Sequence, residues 1–290
     1  MLGRARRCSA RDAWHPLTVG YVRRRSARAA WHARAMARMR RRRAGGAGGS
    51  VPRVLLGVVA GAQIVYPRVP PRRQAAATRA IVALMLATSV ADLAARRSAG
   101  RAAALAGSAA GVGFAAELCG VATGRPFGSY EYSGRLGPRL AGVPLLAAAA
   151  WTMMAFPAWS VAGLVARRRS SRTLVAAGAL TAWDVFLDPR MVRDGYWRWP
   201  AGGRYEGVPA RNFAGWLAVG GAIFAVWSAL DRDGAPSDDA LALYAWTWAG
   251  ETVANVVLWR RPRIALAGGA AMGAFAVPAI AARARRKGRT

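Results

Sequence analysis

The chain reads as an all-α, polytopic transmembrane bundle of seven or eight helices, and three observations predict it. Its 290 residues are 54% hydrophobic with 33 Gly and 12 Trp, too apolar and glycine-rich for an ordinary soluble domain. The apolar residues fall in continuous runs close to the ~20 residues a helix needs to cross hydrocarbon, and such runs exclude a β-barrel, whose strands alternate. The net charge is +30, yet the basic residues gather in tails and short loops beside apolar runs, as lipid headgroups and the positive-inside rule require. The expected partner is a lipid bilayer, the cell (plasma) membrane, with the chain crossing it several times. Nucleic acid is not an expected partner.

Residues 1–50 carry fourteen Arg between Arg4 and Arg43 against one acid, Asp12, and end in "RRRAGGAGGS". This composition predicts a disordered lead-in, within which Met36 and Met39 are alternative starts. The apolar stretch from Val51 to Pro67 is short, and "AGA" at Ala60 to Ala62 resembles a signal-peptidase site; an uncleaved first span is the preferred reading. Further spans are expected at about 75–95, 101–123, 140–166, 173–188, 212–230, 240–259 and 264–282. Residues 51–282 then form one transmembrane helical domain, followed by a basic C-terminal tail, 283–290. The pairs Gly57 and Gly61, Gly107 and Gly111, and Gly269 and Gly273 have the spacing that lets helices approach closely.

Several chemistries drop out. Cys8 and Cys119 lie far apart in unlike surroundings, so no disulfide framework or cysteine metal site follows. Both histidines, His15 and His32, precede the first apolar run, leaving the hydrophobic body without a ligand set for a di-iron centre or a haem. No cofactor and no metal is expected. "GVGFAA" at Gly111 to Ala116 fits a loose dinucleotide pattern, but inside an apolar helix with no strand before it. No P-loop, Ser-His-Asp series or internal repeat is present.

What remains is a set of acids within the spans, Asp92, Glu117, Asp184, Asp188 and Glu251, and ionisable groups at membrane depth are functional candidates by default. Asp92 stands one helical turn from Arg96 and reads as a structural ion pair. For the other four, two spans separate the loop 124–139 from the loop 189–211, so both loops share one membrane face. Glu117 leads into the first loop, Asp188 abuts the second, and Glu251 lies in the half of its helix nearer that face. Asp184 and Asp188, at i and i+4, share one side of a helix that Pro189 is expected to end. Trp248, Glu251 and Asn255 form a stripe, and Tyr130, Tyr132, Tyr196, Trp197, Trp199 and Tyr205 populate the shared-face loops. Interfacial aromatic belts account for individual rings but not for acids gathered beneath them.

Three stretches carry a resemblance: "GRPFGSYEYSGRLGPRLAGVPL" (Gly124 to Leu145), "WDVFLDPRMVRDGYWRW" (Trp183 to Trp199) and "YEGVPARNFAGW" (Tyr205 to Trp216). They resemble the integral-membrane carotenoid hydratases of the bisanhydrobacterioruberin hydratase type, over roughly residues 54–282. The resemblance implies addition of water across the terminal double bond of an acyclic carotenoid end group to give a tertiary alcohol, with an acyclic carotenoid as substrate and other enzymes of that pathway as further partners. Such a hydration needs a proton donor, a stabilised tertiary cation and a guided water. Burial helps hold a carboxylic acid neutral for that task, and a second carboxylate nearby helps twice, by raising the first pKa and by accepting a proton from the attacking water. Asp184 and Asp188 are such a pair, and aromatic faces stabilise a cation. Asp184, Asp188, Glu117 and Glu251 are the catalytic candidates. Phe127, Tyr130, Tyr132, Trp183, Tyr196, Trp197, Trp199, Asn212 and Asn255 are the expected substrate-binding set. Two other readings stay open. Asp184 and Asp188 match the DxxxD spacing of membrane prenyltransferases, although the second acidic cluster, "DRDGAPSDD" from Asp231 to Asp239, is expected on the opposite face. The same acids and rings also suit a non-catalytic isoprenoid-binding protein.

Overall fold

A computed structural model describes residues 50–166, 168–232 and 234–288. The Arg-rich lead-in, the alternative starts, Cys8, His15 and His32 lie outside the described residues. Among the described residues are eight long helices: α1 Val51–Val65, α2 Pro71–Arg96, α3 Ala99–Thr123, α4 Leu145–Val165, α5 Arg169–Arg193, α6 Ala210–Leu230, α7 Asp238–Val257 and α8 Pro262–Lys287. Local chemistry sets several of their ends. Pro71 and Pro262 sit in the first turns of α2 and α8, where a missing N–H costs nothing. Gly124, at φ 70°, closes α3 in the left-handed conformation. At the start of α7, Ser237 accepts from the backbone N–H groups of Asp239 and Ala240.

The helices alternate in direction. The connections 66–70, 124–144, 194–209 and 258–261 meet at one end. There β1 (Glu131–Tyr132) pairs antiparallel with β4 (Trp197–Arg198), Glu131 facing Arg198 and Tyr132 facing Trp197, so the two motif loops share a face as their spacing predicts. A small hairpin, β2 (Arg139–Leu140) with β3 (Val143–Pro144), leads into α4. Tyr66 and Tyr196 both bond to the Thr78 hydroxyl, and Arg261 bonds Glu206, tying the remaining connections to this end. The opposite end is held by ion pairs: Arg97 with Asp231, Arg96 with Asp92 and Asp239, Arg53 with Asp239, and Arg283 with Asp238. Asp92 is thus the structural partner its spacing implies.

This is a membrane protein. α2, α3, α4, α6 and α8 are long and apolar enough to cross a bilayer. α1 has 15 residues, while α5 and α7 carry the acids and charged ends that lower their apolarity. α4 is the axis of the bundle, packed against α2, α3, α5, α7 and α8, with Trp151, Phe156 and Trp159 fully enclosed. α8 runs on through Lys287, so residues 283–287 of the basic tail continue the last helix.

Two sequence expectations need correction. Pro189 does not end α5, which continues to Arg193. A proline inside a helix frees the carbonyl four residues earlier, and here that carbonyl, on Val185, accepts the Tyr205 hydroxyl at 3.0 Å. The same device operates in α4, where the carbonyl of Met153, freed by Pro157, accepts Ser89 Oγ. A neighbouring hydroxyl restores what the proline removes. The glycine pairs also divide: a β-carbon at Gly269 or Gly273 would touch Thr252 or Trp248 of α7, whereas Gly57, Gly61, Gly107 and Gly111 face open space among the described residues. Only the last pair packs helix on helix.

Candidate active site

At the end where the motif loops meet, a cavity of about 170 Å³ opens among α1 to α7 and the loops. Its wall is rich in aromatic rings. Trp151 of α4 stacks on Trp216 of α6 with centroids 3.9 Å apart, and Trp183 of α5 meets Trp216 edge-on at 5.9 Å. Two close approaches make this possible. A β-carbon at Gly113 would lie 2.4 Å from the Trp151 ring, and one at Gly215 would lie 2.8 Å from Phe127; each glycine lets a ring lie directly on a helix backbone. Phe127 in turn meets Tyr130 edge-on, and Trp199 Nε1 donates to the Phe127 carbonyl at 3.1 Å.

The carboxyl groups fall into three stations. The first is Glu117, near the end of α3. Its Oε1 accepts from Trp151 Nε1 at 3.0 Å, and its Oε2 accepts from Tyr132 at 2.8 Å and from Tyr130. Three donors and no acceptor suit a carboxylate, which only accepts. Burial, with the charge of Glu117 next, pushes both tyrosine phenols well above 10, so they remain donors.

The second station is Asp184 and Asp188 on one side of α5, 0% and 2% exposed. The Asn212 amide of α6 spans them, donating to Asp184 Oδ2 at 2.8 Å and to Asp188 Oδ2. Trp197 Nε1 donates to Asp188 Oδ1 at 3.1 Å. One amide nitrogen thus bridges the two carboxyl groups and holds them side by side. Asp184 Oδ1 is buried with no donor from any other described side chain. Asp188 lines the cavity and Asp184 stands behind it.

Glu251 is the third station. It lines the cavity from α7 beside Thr247, one turn earlier, and its buried Oε2 has no protein donor.

Of the residues the sequence singles out, Glu117, Asp188, Glu251, Phe127, Tyr130, Tyr132, Trp183, Tyr196, Trp197, Trp199 and Asn212 all line this one cavity. Asn255 does not. Its amide donates to the Glu251 carbonyl of its own helix at 2.8 Å, and Trp248 of the same expected stripe turns to the Gly269 carbonyl of α8. The cavity-facing stripe of α7 is Thr247 and Glu251. Sequence reasoning missed Trp151 and Trp216, which look like any other ring in an apolar run. It also missed Arg190, which stacks on Trp259 with its guanidinium carbon 3.6 Å from the ring centroid.

Fold and site together define a class: a helical-bundle membrane protein with an aromatic cavity into which buried carboxyl groups converge from three helices. The chain belongs to the carotenoid biosynthesis protein family, which it matches over residues 78–278. It is 35% identical over 109 residues to bisanhydrobacterioruberin hydratase of Haloarcula japonica, across 36% of this chain and 37% of that protein. The match thus spans little more than a third of the relative's length. No solved structure matches the chain.

Proposed function

We propose that the protein is a carotenoid hydratase of the plasma membrane, adding water across the terminal double bond of an acyclic carotenoid end group to give a tertiary alcohol. The observation that carries this reading is the pairing of Asp188 with Asp184 through the Asn212 amide at the wall of a cavity rich in aromatic rings, since carboxyl groups so paired and buried hold on to a proton. An isolated alkene is protonated only by an acid brought into contact with it. Asp188 faces the cavity and is the donor; Asp184 and Asn212 hold its carboxyl in place. Protonation of one alkene carbon leaves a tertiary cation on the other. The Glu117 carboxylate and the faces of Trp151, Trp183 and Trp216 oppose that charge, as fixed negative groups and ring quadrupoles do. Water closes the step by bonding to the cationic carbon and releasing a proton. The polyene extends between helices towards lipid, leaving its end group in the cavity.

Two observations bear on the alternatives. Prenyl transfer by magnesium diphosphate requires a second set of free carboxylates, yet Asp231, Asp238 and Asp239 are each bound by an arginine at the far end of the bundle. A passive binding protein has no need for two buried carboxyl groups bridged by one amide at the cavity wall. The deciding experiment supplies purified protein in lipid with an acyclic carotenoid. Formation of a mono- or dihydroxylated product supports the hydratase, and tight binding without turnover leaves the binding protein.

A further inference from the structure

Glu251 stands apart from the other acids. It lines the cavity from α7, whereas Glu117 and Asp188 line it from α3 and α5. α7 packs on α1, α2, α4 and α8, while α3 and α5 flank α4 and α6. Glu251 therefore enters the cavity from a different helix than Glu117 and Asp188. Adjoining this cavity is a second, more polar one of about 400 Å³, bounded by Arg193, Gln74 and Arg261 among others. The two cavities share Tyr66, Arg190, Asp194 and Trp259. Arg190 forms the partition: it bonds Asp194 at 2.6 Å, lies on Trp259 and faces Tyr66 at 5.1 Å.

Resting on the hydratase reading, we propose that Glu251 is the base that activates the attacking water, on the other side of the alkene from Asp188, and that water reaches it past the Arg190 and Trp259 stack. Three features converge on this assignment. Glu251 lines the cavity and its buried Oε2 has no protein donor, the polar cavity adjoins the first through four shared residues, and the other unpartnered carboxyl oxygen, Asp184 Oδ1, belongs to a residue that does not line the cavity. The step balances. The Asp188 carboxyl transfers its proton to one alkene carbon as the π bond breaks. The water oxygen bonds to the resulting cation, and the Glu251 carboxylate takes the water's proton. That proton leaves through the polar cavity, and solvent restores the proton on Asp188. One water is consumed and no electrons are exchanged. Separate acid and base on opposite sides of the reacting carbon leave room for the water between them, as inverting glycosidases do with their two carboxyl groups.

The test separates protonation from water attack, using Glu251→Gln in lipid with an acyclic carotenoid in deuterated water. Without the base the alcohol forms at least about a hundredfold more slowly, while Asp188 still protonates the alkene and takes a proton back, so deuterium accumulates in recovered substrate. Azide, an anion that needs no base, then captures the cation as a tertiary azide. Asp188→Asn abolishes exchange and capture as well as hydration, and Glu251→Asp, with a shorter carboxyl, keeps part of the hydration rate. Wild-type hydration by Glu251→Gln would overturn the assignment. So would loss of exchange and azide capture in Glu251→Gln when Glu251→Asp remains active. A wild-type protein that forms no alcohol at all would instead overturn the hydratase reading on which the assignment rests.

Discussion

Asp188→Asn tests the acid directly while disturbing the least structure. In the native site Asp188 Oδ1 accepts from Trp197 and Oδ2 accepts from Asn212. An asparagine keeps the first bond with its carbonyl oxygen. Its NH2 then faces the NH2 of Asn212, which cannot turn away without breaking its bond to Asp184 Oδ2 at 2.8 Å. That opposed pair of donors costs about 1–3 kcal/mol, which a bundle of this size tolerates, and the new amide gains Asp184 as an acceptor. The chemical cost is larger. An amide has no transferable proton, and losing a general acid slows turnover about 10²–10⁴-fold, equivalent to ~2.7–5.4 kcal/mol of barrier. The assay is initial-rate alcohol formation by reconstituted protein, with thermal unfolding in detergent as the control. The expected variant is folded, somewhat less stable, and at least about a hundredfold slower. A folded Asp188→Asn protein that hydrates at the native rate refutes the argument and moves the acid to Glu117 or Glu251.

Four further outcomes follow from the same coordinates. Tags inserted after Arg135 and after Gly203 report the same membrane side, as the pairing of β1 with β4 demands; opposite sides would contradict the fold. Tyr205→Phe leaves the Val185 carbonyl without its donor, and Ser89→Ala does the same to Met153; each lowers unfolding stability by about 1–3 kcal/mol, whereas an unchanged melting temperature would show that the prolines need no such support. Tyr132→Phe removes one of three donors to Glu117 and slows turnover with little change in substrate affinity. Because burial and Glu117 hold the Tyr130 and Tyr132 phenols well above 10, the hydratase activity proposed above is expected to show no loss from their ionisation up to about pH 10; an alkaline fall near pH 9 that Tyr132→Phe abolishes would contradict this.

Much of this was legible in the sequence because membrane helices obey few rules. Long apolar runs separated by Arg-rich turns pointed to seven or eight helices, of which eight are present among the described residues, and counting spans between loops was enough to bring the two motif loops to one face. The acids within the spans stood out for the same reason, since an ionisable group at membrane depth is rare. Three kinds of feature were hidden. Pro189 looked like a helix end because the hydroxyl that replaces its lost hydrogen bond comes from Tyr205, in a loop after the helix. The orientation of α7 was misread by one position: Trp248, Glu251 and Asn255 do share a stripe by spacing, but packing against α8 turns Trp248 and Asn255 away, and only Thr247 accompanies Glu251 into the cavity. The tryptophans of α4 and α6 carried no local signal at all. Trp151 reaches Glu117 only because Gly113, on another helix, has no side chain, and such a contact is invisible until the helices are placed side by side.

The central claim is that the new hydroxyl comes from water by acid-catalysed addition, and the origin of its oxygen tests that most directly. Reconstituted protein given an acyclic carotenoid in ¹⁸O-labelled water, under argon and with a strong chelator present, is expected to form alcohol carrying the label at the solvent's enrichment. Addition of water leaves the redox state of the substrate unchanged, so neither dioxygen nor a nicotinamide or flavin is needed. Label appearing in the alcohol from ¹⁸O-dioxygen, or a reaction that stops under argon or on chelation, would contradict the account.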